Sequence, residues 1–253
     1  MFFCAIFGKV FSTNQVSDIL IWNQDTLFLY DSPLELVPDI TQKLQANEED
    51  LEISSDCWRG FYAKWKIIDS ILYLTNIYEC NSGRDLSSKL EKILNRKFTN
   101  GLLKADWVIG DFWCGKGFVP EQTLYISIFK HECNFEFENG YLKSTKQIDY
   151  LPCEYSDKEK LTEFVIQHLD LNELPDLDNF SIGLSAYLQS DKIGKLIRVK
   201  IESSTDSRYN DAIKNALIEL PCIPVYFYRG RFWDVGETVY LTINGGDIKK
   251  YVR

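Results

Sequence analysis

Three local arrangements in this chain bring together residues able to do chemistry: His131 with Cys133, the run Gly115-Lys116-Gly117, and Arg59 between Trp58 and Gly60. A cysteine nucleophile needs a base within hydrogen-bond reach and a third group to orient that base. His131 and Cys133 stand two apart, so on a strand both side chains point to one face. No third group or oxyanion donor is evident beside them, and the pair reads as structural. Gly115-Lys116-Gly117 lacks the spacing of a phosphate cradle and reads as a loop, and no G-x-S-x-G, P-loop or H-E-x-x-H motif is present. These absences predict a protein that is not an enzyme and takes no cofactor. Arg59 is expected to stack on an aromatic ring or to make a bidentate bond to a carboxylate such as Asp106 or Asp56. A ligand-anchoring role for Arg59 is the alternative.

Metal and nucleic-acid chemistry have little support. Only two histidines, His131 and His168, accompany seven cysteines with no C-x-x-C, so no metal site is expected. Most of the cysteines are expected to be free, buried and packed as small hydrophobes. A net charge of −9 argues against binding a phosphate backbone. No run approaches the roughly 20 apolar residues of a membrane-spanning helix. The apolar start Met1-Phe2-Phe3-Cys4-Ala5-Ile6-Phe7 reads either as the remnant of an export signal or as a buried first strand.

The elements that would carry these residues fall into two modules, residues 1–148 and 150–253, with an α+β fold overall. The first reads as mainly antiparallel β with one helix. Ile19–Trp22 and Thr26–Tyr30 flank the turn Asn23-Gln24-Asp25, and Pro33 and Pro38 bracket a loop. Phe61, Ala63, Trp65 and Ile67 alternate with polar residues, and Asp69-Ser70 returns the chain through Ile71–Ile77. That hairpin brings Cys57 nearly opposite Cys80. A helix follows from an Asp85 cap, and strands are expected at 102–109, 123–129 and 133–137. Asn139-Gly140 then makes a hairpin into Tyr141-Leu142-Lys143. Trp58, Trp65 and Trp107 are expected in one core.

In the second module, Ser156-x-x-Glu159 reads as a capping box for a helix through Leu169. Strands are predicted at Phe180–Leu188 and Leu196–Ile201, a second helix at Ser207–Leu220, and a last strand at Val239–Ile243. This α-β-β-α-β order, carried by Lys158–Val165, Gly194-Lys195, Arg198–Ser204 and Asp211–Leu217 leading to Pro221, resembles the C-terminal domain of TonB-type energy transducers. Cys222-Ile223-Pro224 departs from the family, in which a Trp usually follows that proline. A transducer also needs a membrane anchor and a long Pro-rich spacer, which this sequence lacks, so energy transduction by this chain alone is not expected. The first module resembles a family of uncharacterised, often exported bacterial proteins through Cys57-Trp58-Arg59-Gly60-Phe61-Tyr62-Ala63-Lys64-Trp65 and Asn100–Trp107. That family supplies no activity.

The TonB resemblance implies a non-catalytic, periplasmic or otherwise exported cell-envelope binding or structural protein whose C-terminal module binds a protein or peptide partner by strand addition. Val239, Tyr240, Leu241, Thr242 and Ile243 would carry that contact, because an unpaired strand edge is a template for one more strand. The alternative is a cytoplasmic, immunity-like or regulatory protein that binds a basic protein partner, as the acidic pI near 4.9 would favour.

Overall fold

The computed structural model describes residues 15–46, 51–118, 129–150, 153–169, 180–234 and 236–251. The apolar N-terminal run, the acidic segment 47–50 and nearly all of the strand expected at 123–129 lie outside them. The fold is α+β, and the chain divides into two compact units, residues 1–149 and 150–253.

In the first unit, β1 (Ile19–Trp22) and β2 (Asp25–Leu29) form a hairpin, as do β3 (Phe61–Ile68) and β4 (Ile71–Glu79). After α2 (Ser87–Leu94) come β5 (Leu103–Lys104), β6 (Gly110–Phe118), β7 (Phe129–Glu138) and β8 (Tyr141–Asp149). The order β3-β1-β2-β6-β7-β8-β4, with β4 pairing back onto β3, closes these seven strands into a barrel, and β5 adds to β4. Closure removes the exposed edges that an open sheet would leave. The seam between β4 and β8 is short: Leu72 N–H donates to Gly140 O and Leu142 N–H to Ser70 O.

The pairing is mainly antiparallel, as expected, with one parallel ladder, β1 to β3. The expectation of a single helix needs correction. Ile40–Ala46 forms α1, preceded by a 3-10 turn at Pro33–Leu36. Pro33 starts that turn, where its missing N–H costs nothing, and Ile40 and Leu44 then fall on one helical face and are buried. The nine-residue β6 runs through Gly115-Lys116-Gly117, read as a loop, and the strand read at 102–109 shrinks to the two residues of β5. Phe112 and Cys114 alternate into the core. Gly115 leaves room for the Phe129 ring, into which an added Cβ would run.

Alternation sends Leu20, Leu27, Phe61, Ala63, Trp65, Leu74, Phe135 and Phe137 into the barrel. Trp65 is fully buried, with the partly buried Trp107 6.4 Å away, centroid to centroid. Trp58 does not join them: it is 50% exposed. It belongs to the approach to β3, before the alternation begins.

The second unit contains α3 (Lys158–Gln167), β9 (Ser181–Ser190), β10 (Leu196–Ser204) and α4 (Asn210–Ile218). A short hairpin of β11 (Tyr226–Tyr228) and β12 (Arg231–Trp233) follows, then β13 (Glu237–Asn244) and α5 (Gly245–Tyr251). The order in its three-stranded sheet is β10-β9-β13. Leu161, Val165 and Ile166 of α3, Ile213 and Leu217 of α4 and Ile248 of α5 pack with Ile182, Leu184, Leu188, Leu241 and Ile243 of the sheet. The cap of α3 is Asp157, which accepts from Glu159 N and Lys160 N, while Ser156 Oγ donates to Cys153 O. Asp157 therefore replaces the expected Ser156 box.

Two disulfides brace the units. Cys57–Cys80 has its Cα atoms 6.5 Å apart, meeting the expectation from the β3–β4 hairpin. Cys153–Cys222 ties the start of the second unit to the segment after α4. Only Cys114 and Cys133 are free among the described cysteines, which corrects the expectation that most would be. No described helix is long and apolar enough to cross a membrane.

Candidate functional site

The five residues expected to bind a partner lie together on β13. This strand pairs with β9 in unbroken register from Glu237↔Leu188 to Asn244↔Ser181. Among the described residues no strand pairs with its other side. Gly245 N–H donates to Phe180 O, immediately beyond that register. In an antiparallel ladder alternate residues turn their backbone groups to the same side. Val239, Leu241 and Ile243 therefore hold β9, and Thr238, Tyr240 and Thr242 direct N–H and C=O outward. Asn244 obeys the same alternation, because its outward N–H is taken by Asp247 Oδ2.

Side chains sort by the same period. Leu241 and Ile243 are buried and Val239 half-buried on the helix-covered face, whereas Tyr240 and Thr242 are exposed on the other. Tyr240, 67% exposed, is the largest apolar surface on the strand. The opposite edge, β10, is built differently. Its ladder to β9 is interrupted between Leu196 and Arg198 and again between Ile201 and Ser203. Such irregularities blunt an edge against further pairing. The regular edge of this sheet is β13.

Arg59 lies in the first unit and is 6% exposed. Its partner is neither Asp106 nor Asp56. Arg59 Nη2 donates to Val16 O at 2.8 Å and stands 3.5 Å from Asp18 Oδ1, and the guanidinium lies over the Phe61 ring at 5.7 Å. Asp106 instead takes a bidentate bond from Arg96. Asp18, fully buried, accepts from Ser32 Oγ, Ala63 N and Trp65 Nε1 as well. These bonds satisfy a carboxylate that burial would otherwise penalise. Glu35, near the same charges, has its carboxyl pushed up by burial, against the pull of Arg59. Sequence reading missed Asp18 because it precedes β1 with no local signal of burial.

His131 has an orienting group after all: its Nδ1 lies 2.7 Å from Asp149 Oδ1. Cys133, however, is engaged with its cross-strand neighbour. Cys114 and Cys133 face each other across β6 and β7, both buried, with Cys114 Sγ donating to Cys133 O at 3.7 Å. The Cys133 thiol is held below its ordinary value by a hydrogen bond from Cys114 and by Lys116, with burial opposing. The Cys114 thiol is pushed far upward by burial and by Cys133. His168, at the end of α3, stacks on Phe164 at 3.9 Å and caps Phe164 O, a boundary role. Among the described residues no group of three or more His, Cys, Asp or Glu could hold a metal ion. Compared with protein-family models, curated proteins and solved structures, the chain matches none.

Proposed function

We propose that this is a non-catalytic binding protein of the cell envelope, whose C-terminal module captures an extended segment of a protein partner along β13. The observation that carries the reading is the unbroken edge itself. Thr238, Tyr240 and Thr242 present three backbone donors and three acceptors on a strand already straightened by β9. Main-chain hydrogen bonds would supply affinity, and the exposed Tyr240 would select side chains on the partner. The resemblance of residues 156–244 to TonB-type domains supports the same strand. Two disulfides support an exported location over the cytoplasmic, immunity-like alternative, because thiols are kept reduced in the cytosol.

The test is selection of extended peptides from a displayed library against the full chain, followed by binding to Tyr240→Pro. Proline there deletes an outward N–H and leaves the β9 ladder intact, as edge positions tolerate. Selected peptides should lose binding to this variant, and amide exchange should slow at Thr238, Tyr240 and Thr242 of the wild-type complex. Unchanged affinity in a folded Tyr240→Pro protein would exclude strand addition at β13.

A further inference from the structure

Among the described residues Cys114 and Cys133 are the free thiols, and the binding edge uses neither. Tyr30 N–H donates to Trp113 O, so Trp113 faces β2 and the backbone of Cys114 faces β7. Cys114 and Cys133 therefore occupy a hydrogen-bonded cross-strand pair, with Cα atoms about 5.5 Å apart. That separation lies within the range a disulfide spans. The Cys114 thiol already reaches its neighbour, donating to Cys133 O at 3.7 Å.

Two residues further along each strand, on the same face, the next rung is Lys116, His131 and Asp149. Lys116 Nζ pairs with Asp25 Oδ2 at 2.8 Å and His131 with Asp149 at 2.7 Å. All four side chains are at least 41% exposed. This rung stands where β6, β7 and β8 begin or end, so the dithiol sits one rung inside a polar, solvent-reaching end of the barrel. Cys133 is 7% exposed and Cys114 0%, so Cys133 is the more accessible residue of the pair.

We propose that Cys114 and Cys133 form a redox-active pair, which a low-molecular-weight disulfide entering at the Lys116–His131–Asp149 end oxidises to a third disulfide, with Cys133 attacking first. Cys133 thiolate attacks one sulfur of the reagent, forming a mixed disulfide and expelling one thiolate. Cys114 loses its proton to solvent and attacks the Cys133 sulfur, expelling the second thiolate. The two protein thiols lose two electrons, the reagent gains them, and the released thiolates take up the two protons. Lys116 favours the first step by lowering the Cys133 thiol. Among the described cysteines this pair alone is free to cycle, because Cys57–Cys80 and Cys153–Cys222 are already closed.

The experiment places the folded full-length protein in a series of oxidised-to-reduced glutathione ratios, then quenches with acid, alkylates and maps peptides by mass spectrometry. The expected result is a Cys114–Cys133 linked peptide that appears and disappears reversibly while the other two disulfides persist. Cys114→Ser should trap glutathione on Cys133, and in Cys133→Ser the remaining Cys114 should react more slowly by on the order of ten-fold or more. Should a variant fail to fold, order is read from the wild type by its first trapped mixed disulfide. Two thiols that stay reduced at every ratio in the native protein, or glutathione found first on Cys114, would overturn the proposal.

Discussion

Replacing Asp18 by Ala tests how much of the barrel depends on one buried carboxylate. The substitution removes the acceptor for Ala63 N–H at 3.0 Å and for Trp65 Nε1–H at 2.9 Å. Neither donor can turn away, because one is backbone and the other belongs to a fully buried ring. Each donor left unsatisfied costs about 1–3 kcal/mol. Arg59 also loses its counter-charge while keeping Val16 O, and breaking a buried pair costs about 3–5 kcal/mol in total effect. These contributions overlap, so the expected loss is on the order of 5 kcal/mol, against a domain stability of roughly 5–15 kcal/mol. Urea unfolding followed by tryptophan fluorescence should show the first unit's midpoint falling by roughly 2–3 M. Adding Arg59→Met to Asp18→Ala should recover at least about 1 kcal/mol by removing the orphaned cation. A loss below about 1 kcal/mol for Asp18→Ala, or a double variant weaker than the single one, would refute this account of the Arg59 site.

Trp65→Ala should cost about 3–5 kcal/mol, while Trp58→Ala should stay within about 0.5 kcal/mol, by denaturant titration. An unchanged midpoint for Trp65→Ala would mean that the face of β3 is misassigned. Reducing Cys153–Cys222, whose cysteines are 69 residues apart, should destabilise by about 4 kcal/mol, and reducing Cys57–Cys80, 23 apart, by about 3 kcal/mol. Single-pair Cys→Ser variants in thermal unfolding check that order. Glu79 is held below the ordinary carboxylate value of 4.5 by its hydrogen bond from Ser82, aided by Glu52 N–H and Arg84. Its folded form thus binds the proton more weakly than the unfolded chain. The stability it contributes is present above pH 4.5 and is lost as pH falls through its lowered value. Glu79→Gln should flatten the acid limb of the stability curve, and an unchanged limb would show that Glu79 does not produce it.

Much of the local structure was legible in the residues alone. Period-2 alternation through Phe61, Ala63 and Trp65 marked β3, and Asn139-Gly140, both at positive φ, marked the β7–β8 turn. Helical spacing marked α2, α3 and α4, and hairpin geometry brought Cys57 to Cys80. The face of β13 that is buried followed from Val239, Leu241 and Ile243 in the same way. Each of these rests on neighbours a few residues apart, where backbone geometry sets which side chains share a face. Long-range pairing decided the rest. Barrel closure, the parallel β1–β3 ladder and the Asp18–Arg59 pair join segments whose local patterns do not name their partners. The Cys153–Cys222 bridge needs the whole second unit folded before its two thiols meet. Alternation likewise places residues on a face but leaves open which strand lies alongside. Only the β10-β9-β13 order, with bulges in the β10 ladder and none in that of β13, makes one edge regular enough to accept another strand.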